Sequence, residues 1–305
     1  MMLARVCEKL QLGSLILTGG LIACGMIGLM VDTAQAAEQE VDLALVLAVD
    51  ISYSMDEDEQ KLQRQGYMDA LRSREVLEAI GKGAVGRIAV TYVEWAGQRS
   101  QDVIVPWRII EGPESADSFV DVLAHAPIRR AFRTSISGGI DFSAALFNTG
   151  GIKALRRVID VSGDGPNNEG RAVTDARDEA IAQGITINGL PILLKRPGYT
   201  DISDLDDYYR DCVIGGVGAF MVQVRELPQF SNVIRTKLVT EIADSDETPK
   251  NEFGRIAPLI QQAGIVAPTP RFVQAQPRIE RAPANGQGRT GCMVGERMWN
   301  QRMGN

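Results

Sequence analysis

The feature that most constrains this chain is an uncharged apolar run, residues 43–49, that stops at the polar segment Asp50-Ile51-Ser52-Tyr53-Ser54. Such a run is typical of a strand buried on both faces of a mostly parallel sheet. Ligands of open α/β sheets bind beyond the carboxyl ends of the strands, so the sequence predicts an oxygen-rich loop at the ligand-binding edge. Asp56 and Glu59 follow in a capping-box pattern, which predicts that a helix comes next.

Strand and helix patterns alternate along the chain up to residue 243. A short polar turn joins the second and third strands as a hairpin, which makes the third strand antiparallel at an edge. The expected fold class is therefore α/β, with a doubly wound, mostly parallel sheet, helices on both faces and one antiparallel edge strand. The predicted strands are residues 42–50, 86–95, 102–109, 158–162, 185–190 and 219–224. The predicted helices are residues 56–80, 117–124, 136–147, 169–183, 201–212 and 230–243.

Oxygen-bearing side chains occupy three loops at this predicted sheet edge. They are Asp50, Ser52 and Ser54 in the first loop, Thr134 before a helix, and Asp164 after the strand at 158–162. Oxygen ligands without histidine or thiolate suit a hard cation, Mg²⁺ or Mn²⁺. For the first loop taken alone, the alternative is a helix-capping loop without a metal, because short patterns recur by chance.

These residues resemble the von Willebrand factor type A (vWA) domain. Its metal-ion-dependent adhesion site (MIDAS) uses D-x-S-x-S, a distant Thr and a distant Asp, and all five positions have a match here in the same order. More closely, the chain resembles a bacterial family of secreted, functionally uncharacterised proteins with a vWA-like domain. The resemblance covers residues 42–243, and the segments that carry it are residues 48–52, 92–95, 134–138, 159–168 and 184–191.

The resemblance implies a role for each of the five residues. Ser52, Ser54 and Thr134 would bind the cation directly, while Asp50 and Asp164 would act mostly through bound water. Neutral hydroxyl ligands leave most of the ion's charge uncompensated, so a Glu or Asp carboxylate of a protein partner would complete the coordination. The function implied is an exported, adhesion-type, metal-dependent protein-binding module.

Three further residues are candidates for supporting the ion or contacting the partner: Glu94, Asn167 and Asn168. Glu94 lies near the end of the second strand, and the alternative is a solvated hairpin carboxylate. The two asparagines lie in a turn-rich segment, and turn chemistry explains them equally well. Ser162-Gly163 precedes Asp164 where many vWA domains have a Thr, which leaves one supporting contact of the site open.

Composition and motifs argue against several other functions. A net charge of −7 and a pI of about 5.0 give no electrostatic support for nucleic-acid binding. The one histidine, His125, ends a predicted helix and is interpreted as structural. The chain has no P-loop and no G-x-S-x-G motif at a strand end. We expect no enzyme, with two alternatives open: a Mg²⁺-dependent hydrolase using Asp50, Asp164 and Glu94, or a structural domain that the metal only stabilises.

The first 36 residues predict an export signal. Positive charges precede an apolar stretch at residues 15–31, and Ala34-Gln35-Ala36 fits the small-x-small cleavage rule. The alternatives are an uncleaved membrane anchor and lipid attachment at Cys24. Cleavage after Ala36 predicts a periplasmic, cell-surface or extracellular protein with no stable membrane span.

The rest of the chain divides into a vWA-like domain, residues 37–243, and a tail, residues 244–305. The tail is rich in Pro, Arg and Gly, so we expect it to be poorly ordered and unnecessary for folding. Export permits a disulfide between Cys212 and Cys292. Cys212 lies on an apolar helical face and Cys292 in the tail, a placement that favours two free thiols.

Overall fold

The computed structural model describes residues 38–194, 202–243, 279–282 and 291–303. The strands are β1 (Gln39–Asp50), β2 (Ile88–Trp95), β3 (Gln101–Ile110), β4 (Ile152–Gly163), β5 (Thr186–Pro191), β6 (Phe220–Val222) and β7 (Ile279–Arg281). The helices are α1 (Glu57–Arg72), α2 (Arg74–Gly81), α3 (Pro113–His125), α4 (Ile136–Leu146), α5 (Val173–Ala182), α6 (Leu205–Tyr208), α7 (Phe230–Ala243) and α8 (Val294–Met303). A π-helical turn, Tyr209–Val213, follows α6, and a 3₁₀ turn, Leu227–Gln229, precedes α7.

The strands of the described residues form one seven-stranded sheet in the order β3-β2-β1-β4-β5-β6-β7. The five inner strands run parallel, while β3 pairs antiparallel with β2 and β7 pairs antiparallel with β6. The predicted fold class and the antiparallel third strand are confirmed. The second antiparallel edge strand, β7, is not among the predicted strands. Within the described part of the chain, no helix is both long and apolar enough to cross a membrane.

β1 is buried on both faces because its side chains alternate between two apolar cores. Leu43, Leu45 and Leu47 pack in a core built with α1, α2, α3 and α7. Val46 and Ala48 pack in a second core built with α4, α5 and the π-helical turn. Helices on both faces exclude water from the whole strand, which explains why residues 43–49 carry no charge.

Two predicted helices are interrupted. The helix expected over residues 56–80 is two helices, α1 and α2, because the backbone of Ser73 is extended, with ψ at 146°. The Ser73 side chain accepts a hydrogen bond from the Val76 N–H and so starts the second helix. The helix expected over residues 201–212 is the short α6 followed by the π-helical turn, and residue 201 lies outside the described residues.

Two pieces of the predicted tail belong to the fold. Strand β7 pairs with β6, and Cys292, two residues before the start of α8, forms a disulfide with Cys212, with their Cα atoms 5.5 Å apart. The expectations of a poorly ordered tail and of free thiols are wrong for residues 279–282 and 291–303. A three-residue strand and a disulfide are long-range contacts, which local composition does not reveal. Residues 244–278 and 283–290 and the predicted export signal, residues 1–36, lie outside the described residues.

Candidate metal site

The candidate site lies where the connections of the sheet change direction. β2 and β3 lie on one side of β1, while β4 to β7 lie on its other side. The loops that leave the carboxyl ends of β1 and β4 therefore diverge and open a crevice between them, the usual ligand position in such sheets. Val49 pairs with Ser162, so the loop that begins at Asp50 and the loop that holds Asp164 start side by side.

A chain of hydrogen bonds connects four of the five predicted ligands. Asp50 Oδ1 accepts a hydrogen bond from the Ser52 N–H at 2.6 Å, which folds the loop back on the strand end. The Ser52 and Ser54 Oγ atoms are 2.7 Å apart. Ser54 Oγ donates to Asp164 Oδ1 at 2.5 Å, which joins the β1 loop to the β4 loop. Two carboxylates and two hydroxyls thus meet at the switch point, as the sequence predicts.

The fifth predicted ligand, Thr134, is brought to the same place by its backbone. The Tyr53 N–H donates to the Ala131 carbonyl at 3.0 Å, which pairs the loop before Thr134 with the loop after β1. Asn168 then holds Thr134 on both sides: the Thr134 N–H donates to Asn168 Oδ1 at 3.0 Å, and the Asn168 N–H donates to the Thr134 carbonyl at 2.8 Å. Thr134 is buried, and it lines one pocket of about 570 Å³ together with Ser52 and Ser54.

The electrostatics of this cluster fit a cation. Burial, and then the neighbouring charge of Asp164, raise the pKa of Asp50 well above its usual range. Asp50 Oδ2 is buried and makes no hydrogen bond among the described residues. A positive ion beside the two carboxylates would offset both penalties. Within the described part of the chain, no three His, Cys, Asp or Glu side chains cluster as metal ligands.

Close packing beside Asp50 requires a glycine at position 163. A Cβ atom at this position would lie 2.9 Å from Asp50 Oδ2 and 2.9 Å from the Tyr209 hydroxyl oxygen, closer than side chains approach. The hydroxyl of Tyr209, from the π-helical turn, therefore occupies the space that a side chain at position 163 would need. Burial, and then the charges of Asp50 and Asp164, raise the pKa of Tyr209. Tyr209 falls within the helix predicted over residues 201–212, and no motif in the sequence connects it with the site.

Glu94 is buried and bound by arginines, which contradicts the alternative of a solvated hairpin carboxylate, while its predicted support of the ion stays a prediction. It is 2% exposed, and its carboxylate oxygens bind two arginines. Arg64 donates to Glu94 Oε1 at 2.5 Å, and Arg129 donates to Oε2 at 3.3 Å. Arg64 also donates to the carbonyls of Ala126 and Pro127. Glu94 thus helps to anchor the loop that leads to Thr134.

The two asparagines differ in role. Asn168 is half-buried, lines the pocket and fixes Thr134, so it supports the predicted ligand directly. Asn167 is fully buried, and its side chain bridges two elements instead of facing a partner. Its Oδ1 accepts from the Ser137 N–H at 3.0 Å, and its Nδ2 donates to Glu296 Oε1 on α8 at 2.8 Å. The sequence gives no local signal for this contact with the tail.

Comparison with known proteins assigns the family. The sequence profile described as "Protein of unknown function (DUF1194)" matches residues 40–246. The chain belongs to the DUF1194 family. No curated protein matches it significantly.

Several solved structures are similar to part of this DUF1194 member. The pilus adhesin SpaC from Lactobacillus rhamnosus GG is 11% identical, with a TM-score of 0.50, over 68% of this chain and 31% of that chain. Proximal thread matrix protein 1 from the mussel byssus, with a zinc-occupied MIDAS motif, is 15% identical, with a TM-score of 0.46, over 68% and 48%. The von Willebrand factor type A protein from Catenulispora acidiphila is 10% identical, with a TM-score of 0.45, over 67% and 43%. This chain spans about half or less of each of these structures, and its likeness to SpaC is one of fold alone.

Proposed function

We propose that this protein is an exported, metal-dependent protein-binding module that captures a carboxylate of its partner. Ser52, Ser54 and Thr134 would hold Mg²⁺ or Mn²⁺ directly, and Asp50 and Asp164 would support the ion through water. The observation that carries the proposal is the hydrogen-bonded chain of carboxylates and hydroxyls at the switch point. The three hydroxyl residues line a pocket next to it.

The ligand set explains why such a site would bind an anion. When bound, the ion supplies a positive charge that three neutral hydroxyl oxygens do not compensate, and Mg²⁺ sites usually keep exchangeable positions. Asp50 is buried beneath the pocket and holds the loop that carries Ser52. Asp164 holds Ser54 from the neighbouring loop. These residues therefore orient the hydroxyls, and a glutamate or aspartate of the partner can approach from the pocket.

Export is part of the proposal. Residues 1–36 have the charge, apolar stretch and cleavage pattern of a signal peptide, although they lie outside the described residues. The Cys212–Cys292 disulfide supports it, since structural disulfides persist mainly in oxidising compartments. We propose the periplasm, the cell surface or the extracellular medium as the location. An adhesion-type role agrees with the fold that the chain shares with the pilus adhesin SpaC.

We prefer binding to catalysis because of Glu94. The hydrolase alternative needs Glu94 to activate water beside Asp50 and Asp164, but both of its carboxylate oxygens are engaged by arginines. An engaged, buried carboxylate is a poor general base. The second alternative, a metal that only stabilises the fold, predicts stabilisation by the ion and partner binding that does not depend on it.

The experiment combines thermal unfolding with partner capture. Mg²⁺ or Mn²⁺ should raise the melting temperature of the mature protein, because a ligand of the native state stabilises it by mass action, about 2.7 kcal/mol at a hundredfold excess over Kd. Asp50→Ala should abolish this response, and Thr134→Ala should weaken it. Capture of a partner from the envelope of the exporting cell should succeed with Mg²⁺ and fail with a chelator.

The matched control is Asp69→Ala, an aspartate on the exposed face of α1 that bonds only to Gln65 among the contacts described. It should keep the full response to the ion. A melting temperature that changes with neither Mg²⁺ nor Mn²⁺ would contradict the metal site. Partner capture that is equal in Mg²⁺ and in chelator would contradict the carboxylate bridge and favour the purely stabilising metal.

A further inference from the structure

The C-terminal helix α8 forms one wall of the pocket above the candidate metal site. The floor of this pocket of about 570 Å³ includes the hydroxyl residues Ser52, Ser54 and Thr134. The same two loops add Tyr53, Phe132 and Arg133, and the loop after β4 adds Gly165, Pro166 and Asn168. The α8 residues that line it are Gly295, Met298, Trp299, Arg302 and Met303. Anything that reaches the hydroxyls through this pocket therefore passes α8.

The helix is closely seated against the loop after β4. A Cβ atom at Gly295 would lie 2.0 Å from the Asn167 carbonyl oxygen, so only glycine allows the two backbones to approach this closely. The contact between α8 and this loop also includes a buried hydrogen bond, which Asn167 Nδ2 donates to Glu296 Oε1 at 2.8 Å. A buried hydrogen bond and a glycine contact indicate a defined docking position for α8.

Two further contacts hold the helix at this position. The Cys212–Cys292 disulfide attaches Cys292, two residues before the start of α8, to the π-helical turn, the same turn that presents Tyr209 beside Asp50. The guanidinium of Arg133 lies 3.7 Å from the centre of the Trp299 ring, a cation–π contact across the pocket. Arg133 has a φ of 75°, a conformation that costs non-glycine residues free energy and persists where surrounding contacts hold it.

The pocket combines a polar floor with an apolar rim. Phe132 is 77% exposed and Met303 is 66% exposed, and the Tyr53 ring packs on Phe132 with centroids 4.4 Å apart. Arg133 and Arg302 add positive charge to the same walls. The charge favours an anionic ligand. Large apolar side chains exposed together indicate a surface that a macromolecular partner covers, whereas a small carboxylate inside the pocket would leave the rim exposed.

We infer that α8 is part of the binding site and that it selects a partner segment in which an acidic residue is flanked by large apolar or aromatic side chains. This inference rests on the proposed function for the acidic residue. It adds that the flanking side chains contact the rim formed by Tyr53, Phe132, Trp299 and Met303. Part of the specificity of the protein would then lie in α8, outside the residues that match the family profile.

The test uses the oxidised full-length mature chain and synthetic peptides of one design. The probe is Gly-Ser-Phe-Glu-Phe-Ser-Gly, compared with versions in which both Phe are replaced by Ser or in which Glu is replaced by Gln. Binding is measured by fluorescence polarisation in Mg²⁺ and in chelator. We expect the Phe-Glu-Phe peptide to bind at least about tenfold more tightly than Ser-Glu-Ser, since burial of one aromatic side chain is sufficient for that ratio. The Gln peptide should bind weakly in both buffers.

Variants of α8 assign the preference to the helix. Trp299→Ala should reduce the ratio between the Phe and Ser peptides to within about threefold, while Trp299→Phe should keep most of it. Gly295→Ala should reduce the ratio as well, because the added Cβ displaces the helix from Asn167. The control is Leu155→Ala, an apolar residue that is 70% exposed near the amino end of β4, away from the pocket.

The outcomes separate this inference from the proposed function. If both Glu peptides bind equally in Mg²⁺ and neither binds in chelator, the metal bridge stands and the role of α8 is wrong. If the Phe preference is present and depends on Trp299 but persists in chelator and in the Gln peptide, α8 selects apolar segments and the metal bridge is wrong. If no peptide binds, or if Trp299→Ala leaves the ratio unchanged, the inference is overturned.

Discussion

Gly163 shows at the scale of one residue how closely the candidate site is packed. Gly163→Ala would add a Cβ atom 2.9 Å from both Asp50 Oδ2 and the Tyr209 hydroxyl. Overpacking a buried site costs about 1–3 kcal/mol, so we expect the free energy of unfolding to fall by this amount. We also expect a smaller rise in melting temperature with Mg²⁺, because Asp50 is displaced. Urea denaturation, followed with and without Mg²⁺, measures both effects.

Two other variants give this prediction its controls. Gly165→Ala adds the same atom two residues away, where nothing lies within 4 Å of it, and should leave the stability unchanged. Adding Tyr209→Phe to Gly163→Ala removes one of the two clashing oxygens and should recover part of the loss. Equal stability of Gly163→Ala and the wild type would show that the site is looser than its packing indicates.

The buried ion pair between Arg64 and Glu94 is the second prediction at this scale. The two side chains are 7% and 2% exposed, so Arg64→Ala leaves a buried carboxylate whose remaining ion pair among the described residues is the longer one with Arg129, and it should cost about 3 kcal/mol, the low end of the range for a broken buried pair. Arg72→Ala removes an arginine that pairs with Asp117 and Asp121 on the surface, and should cost at most about 1 kcal/mol. Both free energies come from denaturant titration.

The double variant Arg64→Ala with Glu94→Gln tests the cause of this loss. It should be more stable than Arg64→Ala alone, because the neutral amide costs less to bury than the carboxylate. A double variant no more stable than the single one would mean that Arg64 acts by packing and through its bonds to the 126–127 carbonyls.

At the scale of the elements, the C-terminal pieces depend on the disulfide. The bridge joins residues 80 positions apart, and closing a loop of this length in the unfolded chain stabilises the fold by up to about 4 kcal/mol. A reductant should therefore lower the denaturation midpoint of the full chain. It should have no effect on a chain that ends at Ala243, which lacks Cys292, and that shorter chain should be less stable than the oxidised full chain. Equal midpoints for the oxidised and reduced full chains would contradict a stabilising bridge.

The elements also show which features the sequence could predict. The uncharged run that ends at Asp50 predicts both a buried strand and the position of the ligand loop, because a strand buried on two faces contains few charged residues. Asp164 could be placed at the same sheet edge because it follows a second predicted strand, residues 158–162. The packing of α8 against Asn167 could not be predicted from the sequence, since it depends on a disulfide and on β7. The three residues of β7 have no strand pattern. The arginine partners of Glu94 are likewise long-range contacts that one sequence does not reveal.

At the scale of the whole molecule, a buried group of charges joins α7 to the central sheet. Lys237 on α7 lies 2.6 Å from Asp160 on β4 and is hydrogen-bonded to Glu241 one turn further along the helix. Asn188 on β5 also donates to Glu241, at 3.1 Å. Burial, which lowers the pKa of Lys237, is outweighed by the charges of Asp160 and Glu241, so this pKa is raised. One cation faces two carboxylates here, and the group carries an excess negative charge when all three are ionised.

That excess charge makes the stability of the molecule depend on pH. Burial, and then the charge of Asp160, raise the pKa of Glu241 from about 4.5 to about 7. Between these two values the folded chain keeps a proton on Glu241 that the unfolded chain has released, so stability falls as the pH rises through this window. The loss of stability is on the order of 3 kcal/mol when the Glu241 carboxylate of the folded chain is protonated below this pH window and ionised above it. Glu241→Gln has no proton to lose, so its free energy of unfolding should fall less than that of the wild type between pH 4.5 and pH 7.

The comparison with the wild type is essential, because the raised pKa of Asp50 gives a dependence of the same sign in both chains. Glu179→Gln is the matched control on the surface, where Arg171 lowers the pKa of Glu179. Its small contribution has the opposite sign: present at neutral pH, it is lost as the pH falls through the folded-state pKa. Denaturant titrations at half-unit steps of pH measure all three chains. Parallel curves for Glu241→Gln and the wild type would mean that Glu241 stays ionised throughout, with Lys237 neutralising it more completely than Asp160 opposes it.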